Sequence, residues 1–134
     1  MSINLEWDAI PAGVYDAVVH EVDFKFVSAV GIIIDYRIPQ PGRDYYVREW
    51  LTLDVPKDSP LYNETAQGKG RIGQILAAYG EKPPTKLEPA EIIAALTGKA
   101  LSIGIIHKWI NGLPVPKVAS ILGKAELPPP SPAR

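Results

Sequence analysis

The chain has no cysteine in 134 residues. That excludes a disulfide framework, a thiolate nucleophile and any cysteine-ligated metal. Histidine is scarce as well, with only His20 and His107. They fall in separate strand-like segments, and no His-x-x-x-His pair supports a metal site. No apolar run approaches the length that spans a bilayer, so no membrane partner is expected. Met1–Asp8 carries two acids and no base, so no signal peptide is expected at this end and cytoplasm is the default compartment. A general basic coat is missing too, since the formal net charge is −1.

What is present is uneven. Residues 1–27 hold five acids and one base, and residues 99–134 hold five bases and one acid. A near-neutral chain can therefore still carry a local basic patch. The apolar fraction of 46% and the length suit one globular domain, expected over 1–125. Pro128-Pro129-Pro130-Ser131-Pro132 then predicts a flexible tail over 126–134.

Most of the chain alternates with period two. Tyr15, Ala17 and Val19 share one side, and after His20-Glu21 the phase slips to Val22, Phe24 and Phe26. A slip of one residue predicts a β-bulge and a bent first strand. A second strand runs from Val30 to Ile38 and breaks at Pro39-Gln40-Pro41-Gly42. The third, Arg43–Leu53, closes a hairpin with it. Residues 54–70 read as a polar, turn-rich loop. Ile72, Ile75, Leu76 and Tyr79 make a helical stripe that stops at Gly80. A short helix follows from Pro89 to Leu96, with Glu88 or Thr85 as its cap. Leu101–Ile110 and the segment after Asn111-Gly112 predict a second hairpin, because a type I′ turn wants positive φ at both central residues. Pro114 and Pro116 make its last strand an edge. Three strands, a helical insert and two more strands predict a mainly β fold. The expected form is a five-stranded Greek-key barrel of the OB type, with helices between strands three and four.

Catalytic patterns are poor, and no enzyme activity or cofactor is expected. Gly68-Lys69-Gly70-Arg71-Ile72-Gly73 fits the dinucleotide fingerprint by letter, but the polar Tyr62–Gln67 upstream cannot be its buried strand. Lys69 and Arg71 remain as candidate phosphate contacts beside a helix N-terminus. The third strand is more informative. Val47, Leu51 and Leu53 share one side; Tyr46, Arg48, Trp50 and Thr52 share the other. Flat rings around a cation suit bases and phosphates. Arg37 and Arg43 lie on or beside the same hairpin, and Lys108, Trp109 and Lys117 lie on the last hairpin. In an OB barrel those regions flank one oligonucleotide groove.

Pro-Ala-Gly-Val-Tyr-Asp-Ala-Val-Val (11–19), Ile-Gly-Gln-Ile-Leu-Ala-Ala-Tyr-Gly (72–80) and Leu-Thr-Gly-Lys-Ala-Leu-Ser-Ile (96–103) resemble segments of a family of small phage proteins. Its members are encoded among replication and recombination genes, and the resemblance runs over residues 10–123 in order and spacing. It implies an OB-fold protein that binds single-stranded DNA, with replication or recombination proteins as partners. Separately, edge strands next to the proline-bearing strand could pair between copies, which makes a homo-oligomer an option. The alternative expectation is a structural or protein-interaction barrel, such as a virion component.

Overall fold

A computed structural model describes residues 1–26, 29–82 and 85–126. Of the predicted tail, residues 127–134 lie outside the described residues. β1 (Gly13–Lys25) bends where the sequence slips phase. Val19 pairs with Tyr36 and Glu21 with Asp35, leaving His20 without a partner across the ladder. The extra residue lets both Val19 and Val22 turn into the core. The helix-to-strand connection docks at this bulge, where Gly98 N–H donates to Val19 O and Val19 N–H donates to Lys99 O.

β2 (Val30–Gln40) and β3 (Arg43–Asp54) form a hairpin around Pro41-Gly42. β2 runs through Pro39 rather than stopping there. The ladder with β1 ends at Val18↔Arg37, so Pro39 sits where β2 has a neighbour on one side only. β4 (Ala100–Ile110) and β5 (Leu113–Lys124) turn at Asn111 and Gly112, whose φ values are 50° and 81°. The pairs Ile110↔Leu113, Trp109↔Pro114, Lys108↔Val115 and Ile106↔Lys117 follow the register that a two-residue turn dictates.

The five strands make one antiparallel sheet in the order β3-β2-β1-β4-β5. Among the described residues no ladder joins β3 to β5, so the sheet is open and these two strands are its edges. One face carries the core, including Ile34, Tyr36, Ile38, Leu101 and Ile103. The other is outward.

Two helices lie between β3 and β4 in the chain: α1 (Thr65–Ala78) and α2 (Pro89–Leu96). α2 has the predicted bounds, and the Glu91 carboxylate accepts the Glu88 N–H at 3.0 Å. α1 differs from expectation. It starts at Thr65, after a 3₁₀ turn over Tyr62–Glu64, and takes in the glycines that read as loop. The reason is tertiary. α1 packs across β3 and β5, and a Cβ on Gly68 would lie 2.2 Å from the Thr52 carbonyl oxygen. Only glycine permits that approach. Ile72, Ile75 and Leu76 then bury the predicted stripe.

Gly70 and Gly73 have no such reason, since an added Cβ meets nothing within 4 Å. Gly70→Ala and Gly73→Ala are expected to stabilise the chain by about 0.5–1 kcal/mol each through helix propensity. Urea unfolding midpoints check this; a loss at either site would mean that α1 is crowded there.

Candidate nucleic-acid interface

Strand pairing decides which side chains share a surface, because directly paired residues point to the same face. Tyr46 pairs with Arg37, Arg48 with Asp35, and Trp50 with Ile33. These residues form the outward face over β2 and β3. Tyr46 is 53% exposed and Trp50 66% exposed, on a strand whose alternate residues Val47, Glu49 and Leu53 are buried. The Arg48 guanidinium lies between them in sequence and sits 6.0 Å from the Trp50 ring centroid. His20, freed by the bulge, meets the Tyr46 ring edge-on at 5.3 Å between centroids. Two flat rings with a cation between them are thus held open to solvent by the pleat of β3.

The charges around them are mixed. Arg48 reaches Asp35 at 3.4 Å and Arg37 reaches Asp44 at 3.3 Å. A cleft of about 130 Å³ beside Trp50 is lined by Glu21, Asp23 and Asp35 as well as by Lys25 and Arg48. The exposed Arg37–Asp44 pair contributes about 0–1 kcal/mol, so a phosphate can compete for Arg37. Asp35 is buried, so taking Arg48 from it would leave a buried carboxylate unpaired. Among the described residues no group of three or more His, Asp or Glu side chains converges as a metal site requires.

Four predicted residues are not where the sequence suggested. Arg43 lies on the core side of the sheet, stacked over Tyr45 at 4.2 Å and paired with Asp8. It is two residues from Tyr45 and four from the buried Val47, so the pleat turns it away from Tyr46. Trp109 pairs with Pro114 and shares the side of Ile105, again opposite the outward face. Lys69 is exposed, but it lies beyond the first turn of α1, where the backbone amides are already used by the helix. Arg71 is the largest correction: it is 8% exposed and cannot meet a phosphate.

Lys108 and Lys117 do lie on the outward face and are exposed. They are remote from Trp50, however. Tyr46 stands level with Arg37, Val18 and Ala100 across the ladders. Lys108 is eight residues further along β4, roughly 26 Å at ~3.3 Å per residue. Trp50 is further still in the opposite direction.

Arg71 organises a buried network. Its Nε donates to Glu49 Oε2 at 3.0 Å and to Oε1 at 3.2 Å. One Nη donates to Gln74 at 2.6 Å and the other to the Val118 carbonyl at 3.3 Å. Tyr36 Oη donates to Glu49 Oε1 at 2.9 Å. Burial first, and the Glu49 carboxylate second, push the Tyr36 phenol far above its ordinary value, so it stays a donor. β3, α1 and β5 therefore meet at one guanidinium, and β2 joins them through the Tyr36 hydroxyl on Glu49. The available sequence signal was Glu49, an acid at an inward position between Val47 and Leu51.

No protein-family model and no curated protein matches the chain.

Proposed function

We propose that this chain is a sequence-non-specific single-stranded DNA-binding protein built on an OB-type barrel. It would act in phage or prokaryotic DNA replication or recombination, in the host cytoplasm, beside the proteins of those processes. The strand order supports the barrel. A bent β1 pairs with both β2 and β4, and two helices precede β4. An OB barrel brings the third strand alongside the fifth. Here α1 spans those two edges, with Arg71 bonded to Glu49 on β3 and to Val118 on β5. No helix among the described residues is long and apolar enough to cross a membrane.

The observation that carries the proposal is the pair of exposed rings, Tyr46 and Trp50, flanking Arg48 on the outward face. Bases stack on such rings for about 1–3 kcal/mol each, whatever the base. Arg37 holds a phosphate by giving up Asp44, and Arg48, whose side chain is half exposed, reaches one while still bonded to the buried Asp35. With only two such cations, affinity rests on stacking more than on charge. A slope of about −0.7 per neutralised phosphate gives log K against log[salt] near −1.4, or roughly sevenfold loss from 50 to 200 mM salt.

Poly(dT) is expected to quench tryptophan fluorescence with that shallow salt dependence. Trp50→Ala should weaken binding by about 5–150-fold, the factor that the stacking range implies, while Trp109→Ala leaves it unchanged. Equal effects would remove the site assignment, and no quenching at low salt would sink the proposal. One observation favours a second reading, a protein-interaction barrel such as a virion component. Arg37 and Arg48 already have acid partners, and Glu21 and Asp23 add further negative charge beside Trp50. Silence in the DNA titration would select it.

A further inference from the structure

The ladders lay out the outward face beside Trp50 in rows. Asp23, Ile33 and Trp50 stand level across β1, β2 and β3, and Glu21, Asp35 and Arg48 make the next row. Paired residues share a face, as do residues two apart on one strand, so both rows open on the side of Tyr46. β1 and β3 lie two strand spacings apart here, roughly 10 Å. The cleft of about 130 Å³ lies between them. Trp50 and Arg48 on β3 give it one wall, and Glu21, Asp23 and Lys25 on β1 give the other. Ile33, only 8% exposed, gives it an apolar floor. A flat ring laid against Trp50 suits such a slot.

The charges of the slot are unequal. Asp23 pairs with Lys25 at 3.5 Å and Asp35 with Arg48 at 3.4 Å. Glu21 is exposed and has no cation at ion-pair distance among the described residues. Its carboxylate is a strong acceptor that the fold does not use. An uncompensated carboxylate also repels a phosphate. The nucleic-acid backbone therefore passes on the side of Arg37 and Arg48, and a base edge is what enters the slot.

We infer that this cleft selects bases by their exocyclic amino groups, with Glu21 as the specificity-determining residue. The inference rests on the reading of Trp50 as a stacking platform. A base over Ile33 presents an edge to the next row, where the Glu21 carboxylate accepts and the Arg48 guanidinium donates. Cytosine answers with its N4 amino donor beside the N3 acceptor, and adenine and guanine likewise set an amino donor next to an acceptor. Thymine and uracil hold a single N–H between two carbonyl oxygens, so a carboxylate there faces acceptors. Hydrogen bonds to a charged group are the stronger ones, and a mismatch leaves that group unpaired. The bias acts at one subsite only; the Tyr46 ring stacks on any base, so every single strand still binds.

Tryptophan fluorescence titrations with oligo(dC) and oligo(dU) of equal length test it, at slightly alkaline pH where cytosine strands stay unpaired. The two bases share ring size and lack the methyl group, so they differ at the edge that Glu21 would read. Oligo(dC) should bind at least about fivefold more tightly than oligo(dU). Glu21→Ala should abolish that ratio. Loss of a negative charge by itself would strengthen both complexes alike, so the ratio, not either affinity, is the deciding readout. Equal affinities in the unaltered chain overturn the inference and leave the stacking site standing. So does a preference that survives Glu21→Ala. Absence of quenching by both oligonucleotides at low salt removes the DNA-binding reading itself, and this inference with it.

Discussion

Arg71→Ala is expected to cost about 3–5 kcal/mol, a large share of the stability of a domain this size. The cost is not the worth of one ion pair. Removing the guanidinium leaves the Glu49 carboxylate 8% exposed, with the Tyr36 hydroxyl as its remaining donor in the network. A buried charge without its partner bears the full desolvation penalty. The Val118 carbonyl loses its donor at the same time, and α1 loses its polar tie to β3 and β5. Urea unfolding measures the effect. Arg71→Met combined with Glu49→Leu should recover much of the loss, because replacing both members of a buried pair by apolar groups is often neutral. A single-variant cost below about 1 kcal/mol would show that the network does not hold α1 in place.

Gly68→Ala is expected to cost at least about 2 kcal/mol, although alanine is the better helix former. The added methyl would stand 2.2 Å from the Thr52 carbonyl oxygen and 3.1 Å from Leu53 Cδ2. The first obstacle is backbone within a paired strand, so α1 must move away rather than a side chain turn aside. Moving α1 stretches the Arg71 bonds to Glu49 and Val118, so the clash and the network are coupled. Gly70→Ala two residues on is the internal control and should have the opposite sign. If the two alanine variants behaved alike in urea, the close seating of α1 on β3 would be wrong.

These two positions mark where local pattern stops being informative. Gly68, Gly70 and Gly73 look the same in sequence, and three glycines in six residues read as a loop. One of them is the contact that seats the helix; the other two only weaken it. Arg71 likewise looks like a surface cation beside a helix start. Its acceptor, Glu49, lies 22 residues away on another element. No periodicity reports a pairing between a helix and a strand at that separation. Arg43 is a different case. Its position two residues before Tyr45 and four before Val47 already placed it opposite Tyr46, and the alternation of β3 was enough to say so.

What the sequence determined by itself is whatever depends on neighbouring residues. Period-two alternation marked five strands, the slip at His20 marked the bulge, Asn111-Gly112 set the register of the last hairpin, and Pro89 and Gly98 bounded α2. It also set Tyr46, Arg48 and Trp50 on one side of β3 and Val47, Leu51 and Leu53 on the other. Tertiary structure alone decided which cations are free and which are spent. Arg71 is consumed by the core, Arg43 by Asp8, and Lys108 and Lys117 are carried a strand-length from the rings. The reason is physical: alternation fixes the face on which a side chain emerges, but not the charge that another element brings to meet it there.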